Sequence, residues 1–454
     1  MYKLHSPDCH RAGAWLCHPN GEIARLLSGL RLMTAISHSN VTDGTELAQS
    51  HTDAALPPIQ VFMMDLLSIV PYYTGHLCSA LEQVEGLHVK LGSITYHLDR
   101  DFFNRQGIRT YPGAFDLISK VDIKPAWVRR ILKTAEWTLN LAALGIRFTF
   151  SKPDILHAQF LPMISLGLPL EIWFLKLAKL RGIKIVYTVH NILPHDSGQQ
   201  QKATFQTIYS LADRLICHDE PARDRLAGEF GIDARKISIV PHGPLFDTIP
   251  PAVKGRARQR LNIGQEQVMV LWQGILRPYK GVPFLLEAWS EVMRTISPAE
   301  ATLAIVGNGD EHLMNGIRRQ VAAMNNASTV RLDPRFVPVE EMNELYGDAD
   351  IVVYPYSAVT TSGALMTGIG QGKAIVATSL PAFSQLLTDN VNGLLVDYGD
   401  TKILASALGR LIQDKALRSR LGNAASQAYA NRNQWAEIAQ RTVACYRSAL
   451  EAAV

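Results

Sequence analysis

Short apolar runs rich in valine and isoleucine recur along this chain, separated by stretches with helical spacing. In the first half the runs fall at 59–64, 87–91, 154–157, 184–189, 214–217 and 237–240. A helix is predicted over 76–84, after a loop carrying Tyr72, Tyr73, Thr74, Gly75 and His76. A second series follows Pro250-Pro-Ala-Val-Lys-Gly255, with runs at 268–272, 303–306, 351–355 and 374–378. The runs are continuous rather than alternating, as strands buried on both faces require. With helices between them they predict α/β structure: two Rossmann-like, doubly wound parallel sheets. Ligands in such sheets bind beyond the carboxyl ends of the strands, so the cleft between the two domains is the expected site. The expected divisions are an extension over 1–56, domains over 57–250 and 251–430, and a last helix within 431–454.

Residues 1–56 are polar, lack sustained periodicity and end at Pro57-Pro58, so they are expected to be poorly ordered. Cys9-His10 and Cys17-His18 lack the paired spacing of a zinc chelate. Hydrophobic content of 47% and charged content of 19% are ordinary for a globular protein. A net charge of +4 over 454 residues does not point to nucleic acid, but it fits peripheral contact with an anionic membrane. The five cysteines are scattered and odd in number, as expected of reduced thiols in the cytoplasm. The first residues carry no apolar leader, so export is not expected. Pro162, Gly167, Pro169 and Glu171 interrupt the apolar tract 160–175, which is read as a buried loop and helix start. Residues 120–147 interleave Trp127 and Trp137 with Lys124, Arg129, Arg130 and Lys133. Two readings stand for them: a helix lying on an anionic membrane, or an amphipathic helix packed on its own sheet.

The densest chemistry lies in 354–378. A strand ends at Tyr354-Pro355, Thr360-Thr-Ser-Gly363 opens a helix, and Gly372-Lys373 leads into another strand. Free backbone N–H groups and the positive dipole end make such a helix start a site for a diphosphate. Around it, in order, stand Ile237-Ser-Ile-Val-Pro-His-Gly243, Gln273-Gly-Ile-Leu-Arg-Pro-Tyr-Lys-Gly281, Leu303-Ala-Ile-Val-Gly-Asn-Gly309, Glu341-Met-Asn-Glu-Leu-Tyr-Gly-Asp-Ala-Asp350 and Asn392-Gly-Leu-Leu-Val396. In this order, across residues 57–430, the motifs resemble the GT-B glycosyltransferases of the GT4-like (glycosyl transferases group 1) family.

The resemblance implies transfer of a hexose from a UDP- or GDP-sugar to a saccharide or lipid-linked saccharide in cell-surface or exopolysaccharide assembly. Retention of configuration, no metal and no other cofactor are expected, with the enzyme on the cytoplasmic membrane face. The last helix is expected to pack back on the N-terminal domain. Lys280 matches the family lysine on the donor phosphate. Arg277 lies two residues beyond the usual arginine position, here Ile275, and is expected to serve instead. Gly274, Gly307, Asn308, Thr361, Ser362 and Gly363 fall at donor-binding positions, and Gly75 at the close approach to the phosphate. His190 matches the histidine beside the donor sugar. Tyr73, Thr74, His76, His157 and His195 are expected on the acceptor side. One departure stands out: the family's two glutamates correspond to Val359 and Thr367, leaving only the Thr367 hydroxyl for the ribose.

Two alternatives were weighed. A GT-B nucleotide-sugar epimerase needs acid and base carboxylates that this cleft lacks, and a non-catalytic scaffold would not need Lys280 and His190. Asp348 and Asp350, like Asp99 and Asp101, mimic a metal motif; Asp348 and Asp350 precede a core strand at a helix end and read as cap and turn residues. Gly372-Lys373 lacks the flanking residues of a phosphate-binding P-loop.

Overall fold

The computed structural model describes residues 58–451, apart from 69, 70, 96–98, 100, 194–197, 246–252, 360, 361 and 431–433. The extension expected over 1–56 lies outside the described residues, as do Thr361 and His195.

Two six-stranded sheets form the frame, and every strand pairing in them is parallel. The first holds β1 (Ile59–Met64), β2 (Leu87–Gly92), β3 (Ile155–Ala158), β4 (Lys184–Thr188), β5 (Arg214–Cys217) and β6 (Ile237–Ile239), in the order β2-β1-β3-β4-β5-β6. The second holds β7 (Val268–Gln273), β8 (Ala301–Val306), β9 (Val330–Asp333), β10 (Ile351–Tyr354), β11 (Ala374–Thr378) and β12 (Leu394–Val396), in the order β12-β11-β10-β7-β8-β9. Helices cover both faces, so the central strands are buried along nearly their whole length and contain little but apolar residues. β9 was not foreseen. It is an edge strand, and its Arg331 and Asp333 interrupt the apolar run that marks the central strands.

Contacts join both sheets and their helices into one compact unit, Leu56–Val454. A single apolar cluster bridges them, taking in Tyr73 and Leu77, Val186, Leu365 and Tyr446. The final helix, Trp435–Glu451, packs on the first sheet and its first helix. His157 Nδ1 and the Tyr446 hydroxyl lie 2.7 Å apart, and Arg214 donates to Ser448 O at 2.9 Å. Among the described residues no helix is long and apolar enough to cross a membrane.

One local expectation needs correcting. Tyr72–His76 is not a loop, because the first helix runs Pro71–Glu82. Proline is well suited to a first helical turn, where its missing N–H has no partner to lose. Pro71 was the overlooked signal.

Candidate active site

In the second sheet the strand order reverses between β10 and β7, which opens a crevice at their carboxyl ends. The loop after β7 ends in a short turn, Pro278–Lys280, capped by Gly281 in the left-handed region (φ +67°). The loop after β10 packs against it. Ser357 N–H donates to Tyr279 O at 2.7 Å, and a Cβ on Gly281 would run into Pro355 O. Lys280 Nζ stands 5.6 Å from the centre of the Tyr356 ring and directly over Gly274, where a Cβ would come within 2.9 Å of it. Burial, and then the neighbouring Arg277 guanidinium, pull the Lys280 ammonium down to about 8. Two adjacent cations, one of them desolvated, form a place where an anion is strongly favoured. Gly307 and Asn308 hold this loop in place. A Cβ on Gly307 would overlap Gly274 O, and Asn308 O accepts from Leu276 N–H at 2.7 Å.

The helix Gly363–Gly370 opens at Ser362, whose Oγ accepts from Leu365 N–H at 3.2 Å. Its first turn abuts the segment beyond β6, where a Cβ on Gly363 would meet Leu245 and His242. Thr367 does not face a ligand. Its hydroxyl donates to Gly363 O at 2.8 Å, the local back-bond that threonine makes within a helix. Val359 packs against the apolar cluster. Neither position of the usual glutamate pair therefore offers a polar group to a nucleotide.

Across from this, β4, β5 and β6 are each followed within three residues by a histidine: His190, His218 and His242. His218 Nδ1 donates to Val240 O at 2.9 Å, and its Nε2 lies 3.2 Å from His190 Nδ1. His190 Nε2 lies 2.9 Å from the Gln159 amide, which also reaches His157 Nε2 at 3.1 Å. Phe160 stacks on His190 at 4.4 Å, and Tyr73 meets the same ring edge-on at 4.8 Å. Burial drives all of these imidazoles far below their ordinary value: His218 to about 4, and His157 and His242 to about 3. His190 is also lowered, first by burial and then by His218, His242 and His157. Burial therefore favours the uncharged form of His190 and of its neighbours at physiological pH.

Of the residues expected on the acceptor side, Tyr73, Thr74, His76 and His157 are buried. Tyr73 lies within the histidine cluster, Thr74 donates to Asp65 Oδ2 at 2.8 Å, and His76 Nε2 donates to Leu245 O at 2.9 Å. His157 is enclosed between Tyr446 and Thr188, the latter at 2.7 Å. Gly75 faces Phe102, where a Cβ would come within 2.9 Å, so its smallness serves helix packing rather than the approach to a phosphate. Asp348 does act as a cap, accepting from Gly255 and Ala257 N–H at the start of the helix Arg256–Arg260, whereas Asp350 pairs with Arg258 at 2.6 Å. Gln159, Phe160 and His218 were missed. Each stands just past the end of a central strand, and that placement was the available signal. Among the described residues no three His, Cys, Asp or Glu side chains are grouped to hold a metal ion.

Residues 267–414 match the family model described as glycosyl transferases group 1, and residues 70–244 match that of glycosyltransferase family 4. The D-inositol 3-phosphate glycosyltransferase of Streptosporangium roseum is 25% identical over 314 residues, covering 65% of this chain and 70% of its own. Anabaena HepE in complex with UDP and glucose has a TM-score of 0.65 at 15% identity, covering 85% of this chain and 98% of its own. Sucrose-phosphate synthase from Thermosynechococcus elongatus has a TM-score of 0.63 at 18% identity, covering 88% of this chain and 100% of its own.

Proposed function

We infer that the chain, which belongs to the GT-B glycosyltransferases of the GT4-like, glycosyl transferases group 1 family, acts as a hexosyltransferase. On that premise we propose that it moves a hexose from a UDP- or GDP-sugar to a lipid-linked saccharide, at the cytoplasmic membrane face, in the assembly of a cell-surface or extracellular polysaccharide. The observation that carries the donor reading is Lys280, desolvated beside Arg277 and seated over Gly274 in the switch-point crevice. The UDP and glucose held by Anabaena HepE lend support to a nucleotide-sugar donor.

In this reading, negative charge builds on the diphosphate as its bond to the sugar breaks. Lys280, Arg277 and the N–H groups opening the helix at Gly363 meet that charge in a partly dry site, where fixed dipoles act at their strongest. The cations take the part that a metal ion takes in other transferases. With Val359 and Thr367 in place of the glutamate pair, no protein nucleophile stands at those positions. Likeness to the family favours attack by the acceptor on the face from which the diphosphate leaves, a route that retains configuration without a protein nucleophile. His190, fixed by His218 and Gln159, presents an uncharged ring edge to the sugar.

A thermal-shift panel of UDP, GDP, UDP-glucose, UDP-N-acetylglucosamine and GDP-mannose tests this, repeated on Lys280→Ala. Ligand at about 100 times its dissociation constant stabilises by about 2.7 kcal/mol. One nucleotide family should shift the parent chain and leave the variant unmoved. An equal shift in both would remove Lys280 from the donor site, and no shift in either would remove the donor itself.

A further inference from the structure

The long helix Ala126–Phe150 and the helix Leu170–Leu180 pack side by side outside the first sheet, and the long one is apolar on two faces. Facing inward, Trp137, Leu141, Leu144 and Phe148 follow helical spacing into the core. Facing outward, Trp127, Ile131, Leu139, Ile146 and Phe150 trace a second stripe of the same period, about 35 Å long at 1.5 Å per residue. Core packing accounts for one such stripe, not two. Phe150 is 88% exposed, Ile146 65% and Trp127 63%, while the neighbouring helix adds Trp173 at 59% and Leu180 at 84%. Between the helices runs an apolar groove of about 360 Å³, with Leu141, Gly145, Trp173 and Leu177 in its walls.

Charge on this face has one sign. Each helix contains a single acid, Glu136 or Glu171, and both are turned inward and buried. Burial also raises the Glu171 carboxyl to about 8, so it adds no negative charge at neutral pH. Arg129 and Arg147, about five turns apart on one line beside the outer stripe, and Lys176 between Trp173 and Leu180 supply the outer charge. A second copy of the chain would bring the same cations against these, which disfavours self-association through this face. An anionic lipid surface complements both features, because acyl chains receive the aromatic and aliphatic stripe while phosphates receive the cations.

We propose that the outer face of the helices Ala126–Phe150 and Leu170–Leu180 docks on an anionic lipid bilayer. The proposal extends the lipid-linked acceptor reading. Its test needs neither donor nor acceptor, so its failure leaves donor binding untouched.

The test is co-sedimentation of the full chain with vesicles of phosphatidylcholine alone, or with phosphatidylglycerol added. The chain should pellet with the anionic vesicles only, and raised salt should release it. Two double variants probe the face: Phe150→Ser with Trp173→Ser, and Arg147→Gln with Lys176→Gln. Each should weaken vesicle binding about tenfold or more while leaving circular dichroism and melting temperature unchanged, because the replaced side chains lie outside the core. Failure of the parent chain to bind anionic vesicles would overturn the proposal. So would equal binding by both variants, which would assign the lipid affinity to another surface. A parent dimer that the variants convert to monomer, with no difference in vesicle binding, would assign the face to a second copy instead.

Discussion

Lys280 holds its proton in the folded chain only to about pH 8, whereas a free lysine holds it to about 10.4. A bound diphosphate favours the charged form and draws the proton back on. Below pH 8 the proton is already present, and affinity should not depend on this group. Above pH 8 binding must take up a proton, so affinity should fall by up to about tenfold per pH unit. Calorimetric titration of UDP or GDP at pH 7, 8 and 9 checks this, and a flat profile to pH 9 would exclude Lys280 from the phosphate site. The imidazoles behave differently. The Val240 carbonyl requires a hydrogen on His218 Nδ1, which leaves Nε2 to accept from His190 Nδ1–H. His190 Nε2 in turn faces Gln159 Oε1 at 2.9 Å, so the two neighbours of this ring ask for a hydrogen on different nitrogens, and no property of His190 itself could reveal that.

The crevice is built by the loops after β7 and β10 lying backbone against backbone, and Gly281 is where they meet. Gly281→Ala would place a methyl group against Pro355 O and force a non-glycine residue to φ +67°. We expect a loss of about 2–4 kcal/mol of stability in urea unfolding, together with weakened nucleotide binding. A variant as stable as the parent would show that the loops do not depend on this contact. At this scale the sequence was most informative where the physics is local. Continuous apolar runs marked the central strands, and Thr-Ser-Gly marked a helix start. Lys280 was legible because it sits at a fixed distance from a strand end. What stayed hidden depends on the assembled sheets. Gln159, Phe160 and His218 gain their meaning only when β3, β4 and β5 lie side by side. The back-bond of Thr367 and the inward turn of Gly75 follow from helix orientation, which residue spacing does not report.

At the scale of the whole molecule, the final helix belongs by sequence to the C-terminal end and by packing to the first sheet. Tyr446→Phe would leave His157 Nδ1 without its partner in a buried site. We expect a destabilisation of about 1–3 kcal/mol with the fold retained, measured by urea unfolding. A change below about 0.3 kcal/mol would mean that the contact between His157 and Tyr446 adds nothing to the hold on this helix. The return of this helix also means that the chain passes between the two halves twice, after residue 245 and again before Trp435. The crossings adjoin: the Trp435 indole N–H donates to Pro244 O at 2.9 Å, and its ring lies against Gly243. Bodies joined at two neighbouring points behave like a door on its pins, free to swing about the line through them and resistant to sliding or twisting. Any movement of one half against the other should therefore follow one angle, which a pair of labels straddling the halves would report.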